Sequence, residues 1–178
     1  MWQAIYSTVK EELGDVSDVA GLTRVCLRLT IAAVLGAALG YERESAGKSA
    51  GIRTHMLVAI GATMFLMTPQ MAGAKEQDLS RVIQGLVAGI GFLGAGAIIH
   101  NTRRKDDDGS DAGSADGGSG NEVKGLTTAA GIWMTAAIGM AVGMGREVTA
   151  VLSTALAIIV LAVVPKMAGR VDRMRGKK

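Results

Sequence analysis

The sequence predicts an all-α polytopic membrane protein: a five-helix transmembrane bundle with an N-terminal amphipathic helix. Three observations predict it. Hydrophobic residues make up 49% of the 178-residue chain, mean hydropathy is +0.32, and only 20% of residues are charged. Aromatics are 3% whereas Gly numbers 25, an excess of small residues that suits helices whose backbones approach closely in lipid rather than a soluble core filled by rings. Five apolar stretches of about 16–21 residues follow one another, enough at 1.5 Å per residue to cross a bilayer core of about 30 Å. Two prolines and the scarcity of alternating β-branched residues argue against a β-barrel. The single cysteine, Cys26, excludes an internal disulfide framework and a Cys-based zinc site.

The leader, residues 1–20, sets Trp2, Ile5, Tyr6, Val9 and Leu13 at helical spacing, opposite Lys10, Glu11 and Glu12. One apolar stripe with two aromatics near its start predicts a helix lying in the membrane interface. No basic and apolar secretory signal is expected here. The transmembrane domain follows over 21–165, with stretches at Leu22–Gly40, Ile52–Thr68 (ending before Pro69), Val82–Ile99, Gly125–Gly145 and Thr149–Val164 (closed by Pro165). A basic tail occupies 166–178. Between the third and fourth stretches, residues 101–121 hold RRKDDDGSDAGSADGGSGN, which has nothing to bury and reads as a disordered loop. Its Asp run matches no EF-hand spacing, so a calcium site is set aside.

Basic residues set the expected orientation. With five crossings, Arg43, Lys48, Arg53, Arg103, Arg104, Lys105, Lys124 and the tail residues Lys166, Arg170, Arg173, Arg175, Lys177 and Lys178 share one side, 13 of the 19 Lys and Arg. Lys10, Arg24, Arg28, Lys75, Arg81 and Arg146 share the other, beside an acidic leader. The N-terminus is expected outside and the C-terminus in the cytoplasm.

No apolar stretch contains Asp or Glu, which weakens an ion-pump reading because such carriers place carboxylates at membrane depth. The intramembrane polar residues are Arg28, about 9 Å along the first stretch, and Gln84 in the third. Arg28 either snorkels to the interface or clamps a neighbouring helix. Polar residues concentrate instead in YERESAGKSAGIRTH, Tyr41–His55. There Glu42, Arg43, Glu44, Lys48 and Arg53, with Thr54 and His55, are expected to form an ionic latch between the first two helices; a solvated loop is the plain alternative. Gly85, Gly89, Gly91, Gly94 and Gly96 make the third helix the expected site of tightest packing, and Gly139 and Gly143 repeat the theme in the fourth. The Gly91–Gly96 run sits in a span with no preceding strand, so it is no dinucleotide loop. Thr127 and Thr128 stand where the fourth helix begins. Two His, one Cys and no carboxylate pair at depth leave no catalytic set, so an enzyme is not expected; nor is a metal, a cofactor or nucleic acid.

Three segments carry a resemblance. LGAALGYERESAGKSAGIRTHMLVAIGA (35–62), RVIQGLVAGIGFLGAGAII (81–99) and VKGLTTAAGIWMTAAIGMAVGMG (123–145) together resemble the MgtC/SapB family of bacterial inner-membrane proteins, in its membrane domain without the C-terminal cytosolic domain. The resemblance implies a five-helix domain with a periplasmic N-terminus. It implies a role in magnesium limitation and virulence-type stress, exerted by contact with a membrane complex such as the F-type ATP synthase. The alternative is a small magnesium or cation transporter or channel. It also marks Thr127, Thr128 and Met134, where family members carry functional residues, as partner or regulatory positions. The lipid bilayer and a second copy of the chain, in a homodimer, complete the expected partners.

Overall fold

A computed structural model describes residues 1–12, 14, 19–106 and 125–175. Leu13, residues 107–121 of the expected loop and 176–178 of the tail lie outside them. The described residues fold as six helices: α1 (Trp2–Glu12), α2 (Val19–Ser45), α3 (Ile52–Met71), α4 (Glu76–Asp106), α5 (Leu126–Gly143) and α6 (Glu147–Arg175). Trp2, Ile5, Tyr6 and Val9 of α1 are all exposed, and α1 packs on no other described helix. Helices α2 to α6 run up and down as one bundle.

The helices overrun several sequence boundaries. Glu42, Arg43 and Glu44 are good helix formers, so α2 continues through them and the expected connector shrinks to residues 46–51. Likewise α4 runs to Asp106 through the start of the expected loop, and α6 passes Pro165 into the basic tail. Three of the turns share one closing device. At Gly47, Gly73 and Gly145 the backbone turns left-handed (φ 68°, 79° and 74°), and the next residue's N–H reaches back five positions, as in Lys48 N to Arg43 O at 3.0 Å. This is the Schellman arrangement, which satisfies the last carbonyls of a helix.

Among the described residues four helices are long and apolar enough to cross a membrane: α2, α4 over Glu76–Ile99, α5, and α6 over Glu147–Pro165. The expected count of five is thus not met on length and composition. The exception is α3, whose first turn carries Arg53, Thr54 and His55 and whose last carries Pro69 and Gln70. It is nevertheless held firmly in the bundle, clasped between α2 and α5, the helix that touches all four others.

Glycine explains how. A Cβ on Gly36 would lie 2.7 Å from His55 O, and one on Gly40 would lie 2.6 Å from Ile52 Cα. From the other side, Gly139 would meet Ala59 O and Gly143 would come within 2.8 Å of Thr63 O. Two Gly-x-x-x-Gly steps therefore press α3 backbone to backbone, the contact that drives helix association where lipid removes the hydrophobic difference. Thr63 adds a hydrogen bond, its hydroxyl 2.8 Å from Gly139 O. The core beside these glycines is built from small and branched residues: Ala32, Ala59, Ile138, Val142 and Ala150 form one cluster, and Ala62, Leu66, Ala136 and Met140 another.

The third apolar stretch, now α4, is not the crowded helix. Cβ atoms on Gly85, Gly89, Gly91 or Gly96 would meet nothing within 4 Å; only Gly94 is close-packed, 3.4 Å from Ala129 Cβ. Instead α4 lays Val82, Ile83, Leu86, Val87 and Ile90 on the second core cluster. Bulky residues, not glycines, face inward there.

Candidate functional site

Polar side chains gather at the end of the bundle formed by the α2–α3 turn, the start of α5 and the far part of α6. Arg43 is buried there at 2% exposure, with its guanidinium Nε paired to the Glu42 carboxylate on the preceding residue. A charge this deeply enclosed needs such a counter-ion, since burial without one is costly. Glu44 serves a different purpose. Its Oε2 accepts the backbone N–H of Ile52 at 3.0 Å, capping α3 with a negative charge where the free amides and helix dipole favour one. Gly51 gives this carboxylate room, since a Cβ there would strike Glu44 Oε2.

His55 is fully buried one turn into α3. Its Nδ1 lies 2.9 Å from Gly51 O, and a carbonyl only accepts, so Nδ1 carries the proton. That leaves Nε2 as a bare acceptor, buried and without a hydrogen-bond partner. It points at α5: a Cβ on Gly131 would lie 3.5 Å from His55 Nε2 and 3.8 Å from Arg43 Cδ. Gly131 is thus the opening in α5 that admits both side chains. Thr128, buried one turn earlier on α5, and Thr135, whose hydroxyl bonds Gly131 O at 2.9 Å, flank it.

The expected latch is therefore redrawn. Glu42 and Arg43 pair with each other and Glu44 ties α2 to α3, but Lys48, Arg53 and Thr54 are exposed and neither cation forms an ion pair with a described residue. In place of a ring of charges there is one local pair, one helix cap and one buried histidine. Thr127 is exposed at the start of α5, and Met134 packs half-buried against the Ala32–Ala59 cluster. Gln84 is exposed on α4.

At the opposite end Arg28 acts as a clamp. Its Nη1 donates to Gly143 O at 3.1 Å and its Nε stands 3.4 Å from Glu147 Oε1. The acid comes from the first turn of α6, just outside the last apolar stretch. Sequence reasoning missed this partner, as it missed Gly36, Gly40 and Gly131. The two α2 glycines were legible in LGAALG, which has the same four-residue step as Gly139 and Gly143.

Two hollows adjoin these elements. A groove of about 600 Å³ runs between α3 and α4, lined by Leu57, Gly61 and Phe65 on one side and Gly85, Gly89 and Leu93 on the other. A larger one, about 1010 Å³, lies between α2 and α6 beside Glu42, Arg43, Lys48 and Thr127. Among the described residues no three His, Cys, Asp or Glu side chains converge on a common point.

Comparison with known proteins matches residues 29–170 to the model of the MgtC family. The chain is 38% identical over 140 residues to protein SrpB of Synechococcus elongatus, a match covering 76% of this chain and 71% of that protein. It is 34% identical over 144 residues to the putative magnesium transporter YhiD of Escherichia coli, covering 77% of this chain and 59% of that one. With protein MgtC of Salmonella typhimurium it shares 32% identity over 148 residues, 83% of this chain and 55% of the relative. The matched region thus spans little more than half the length of YhiD and MgtC. No solved structure matches significantly. The glycine-clasped α3, the Glu42–Arg43 pair and the Thr-flanked start of α5 all fall within the matched region: the chain is a membrane protein of the MgtC family.

Proposed function

We propose that the chain is a regulatory protein of the bacterial inner membrane, active under magnesium limitation or virulence-type stress, that works by laying its bundle against a membrane partner. The observation that carries this reading is the unused glycine face of α4. The Gly-x-x-x-Gly steps of α2 and α5 are consumed inside the bundle, whereas Gly85 and Gly89 have the same spacing and border an apolar groove. A transmembrane helix laid in that groove is received backbone to backbone, with Leu57, Phe65 and Leu93 as its rims. The F-type ATP synthase, the partner that family resemblance offers, supplies such helices.

The printed name of YhiD keeps magnesium transport as the rival reading. Magnesium needs several oxygen ligands and sheds water reluctantly. Glu42 is engaged by Arg43, Glu44 by the Ile52 amide and Glu147 by Arg28, while Glu76 and Asp78 stand exposed in the first turn of α4, outside its apolar stretch. That favours partner contact. The test pairs two measurements on the full chain. Gly85→Leu with Gly89→Leu should abolish low-magnesium growth support and crosslinking to the synthase while leaving the detergent melt unchanged. Magnesium flux into proteoliposomes above that of empty vesicles would hand the function to the transporter reading.

A further inference from the structure

The hollow between α2 and α6 has two chemically different walls. Near the α5 end, Ala32 of α2 and Ala150 of α6 share one core cluster, and Arg28 bonds across to Glu147. Toward the other end the two helices part. The wedge they leave, about 1010 Å³, is walled by Ala38 of α2 and by Ile158, Leu161 and Pro165 of α6. Its polar mouth carries the exposed Tyr41, Ser45, Lys48 and Thr127, with the buried Arg43 and its partner Glu42 behind them. Apolar depth and polar mouth together describe an amphiphile, not a small polar solute.

Charge at the mouth narrows the choice. Arg43 is compensated by Glu42, so among the described lining residues the excess is one positive charge, held by Lys48, which is exposed and pairs with no described acid. Thr127 is exposed beside it and presents a hydroxyl on α5. One cation and the hydroxyls of Thr127, Ser45 and Tyr41 suit a phosphodiester, whose oxygens accept from them and whose single negative charge cancels the excess. A headgroup carrying its own ammonium would leave the excess uncancelled. The wedge lies along two helices apolar enough to span a membrane, so an acyl chain entering it stays in hydrocarbon.

We infer that the α2–α6 wedge is a binding site for one anionic glycerophospholipid, with its phosphodiester on Lys48 and Thr127 and an acyl chain along Ala38, Ile158, Leu161 and Pro165. The site is separate from the α3–α4 groove and its occupancy does not depend on any partner.

The test is lipid retention by the full chain, read by native mass spectrometry and by the melting shift as dioleoylphosphatidylglycerol or dioleoylphosphatidylcholine is titrated in detergent. The wild type should bind phosphatidylglycerol in preference, at one molecule per chain. Lys48→Glu should weaken that binding by about tenfold or more while leaving phosphatidylcholine unaffected. Lys75→Glu, the same charge change on an exposed residue at the other end of the bundle, should leave it intact. Lys48→Gln, which removes the charge alone from an exposed side chain, is the second variant should Lys48→Glu not fold, and it should also lose selectivity. Equal binding of the two lipids by the wild type, or equal loss in Lys48→Glu and Lys75→Glu, overturns the site. So does equal protection by glycerol 1-phosphate, which would make the ligand a free phosphate.

Discussion

The hydroxyl of Thr63 on α3 stands 2.9 Å from Ala59 O of its own helix and 2.8 Å from Gly139 O of α5. One proton serves two carbonyls, and it does so at the point where Gly139 brings the two backbones together. Thr63→Val keeps the shape and removes the donor. Interhelical bonds of this kind contribute about 0.6 kcal/mol on average and at most about 1.7, so the variant should fold and melt slightly lower in detergent. A loss well above that range would mean that the hydroxyl, not the glycine, holds α3 to α5.

Gly139 itself should be far less forgiving. A single methyl there overlaps Ala59 O and approaches Ala62 Cβ to 2.9 Å, and backbone cannot yield as a side-chain tip can. Gly139→Ala should cost about 1–3 kcal/mol or more by overpacking. Gly89→Ala, which adds its methyl to open space, should leave the melt within about 0.5 kcal/mol of wild type. Comparing the two melts checks which glycines build the bundle.

That contrast also shows what the sequence could and could not reveal. Helical class, the positions of the five bundle helices and the membrane character follow from apolar runs and small residues, and all were legible. The assignment of glycines was not. A Gly-x-x-x-Gly step states that a close neighbour is permitted, and the pattern is identical in α2, α4 and α5; whether a neighbour arrives depends on how the helices are arranged. Likewise, residue types alone placed Glu42, Arg43, Glu44, Lys48 and Arg53 together. The 100° turn per residue then sends Arg43 inward while Arg53 stays in the open. His55 could be named but its burial could not, because that rests on Gly131, 76 positions later in the chain.

Glu44 holds the first amide of α3, and this hydrogen bond to Ile52 is open to solvent. Glu44→Ala should lower stability by about 0.5–2 kcal/mol, the usual loss for a helix cap, and Glu44→Gln, which keeps an acceptor oxygen, should recover most of it. Arg53→Ala should be close to silent in the same melts, because Arg53 is exposed and pairs with no described acid. An Arg53→Ala loss equal to that of Glu44→Ala would restore the wider latch.

The Arg28 clamp has an asymmetric prediction. Arg28 bonds a carbonyl at the end of α5, where the helix dipole is negative, and approaches an acid that is 37% exposed. Removing the acid leaves the carbonyl bond in place, so Glu147→Gln should change stability by no more than about 1 kcal/mol. Removing the base takes the charge-assisted bond away, so Arg28→Met should cost about 1.5–3 kcal/mol. Equal effects of the two variants would show that the ion pair, not the carbonyl, is what Arg28 supplies.

Orientation offers the last test. Five antiparallel helices from α2 to α6 put the start of α2 and the end of α6 on opposite sides, and the α2–α3 junction, with Arg43 before the turn, Lys48 in it and Arg53 after it, lies at the same end as Pro165. Basic residues concentrate at that end, so it should be the cytoplasmic one. After Cys26→Ala, a cysteine at Ser49 should stay unlabelled by an impermeant maleimide on whole cells and react once the cells are opened. A cysteine at Ala72, exposed in the α3–α4 turn, should react from outside. The two positions are joined by α3 alone, the helix whose polar ends keep it below the apolarity of the other four. Labelling of both from the same side would therefore mean that α3 does not cross, and that the chain spans the membrane with four helices; labelling at Ser49 only would invert the whole bundle.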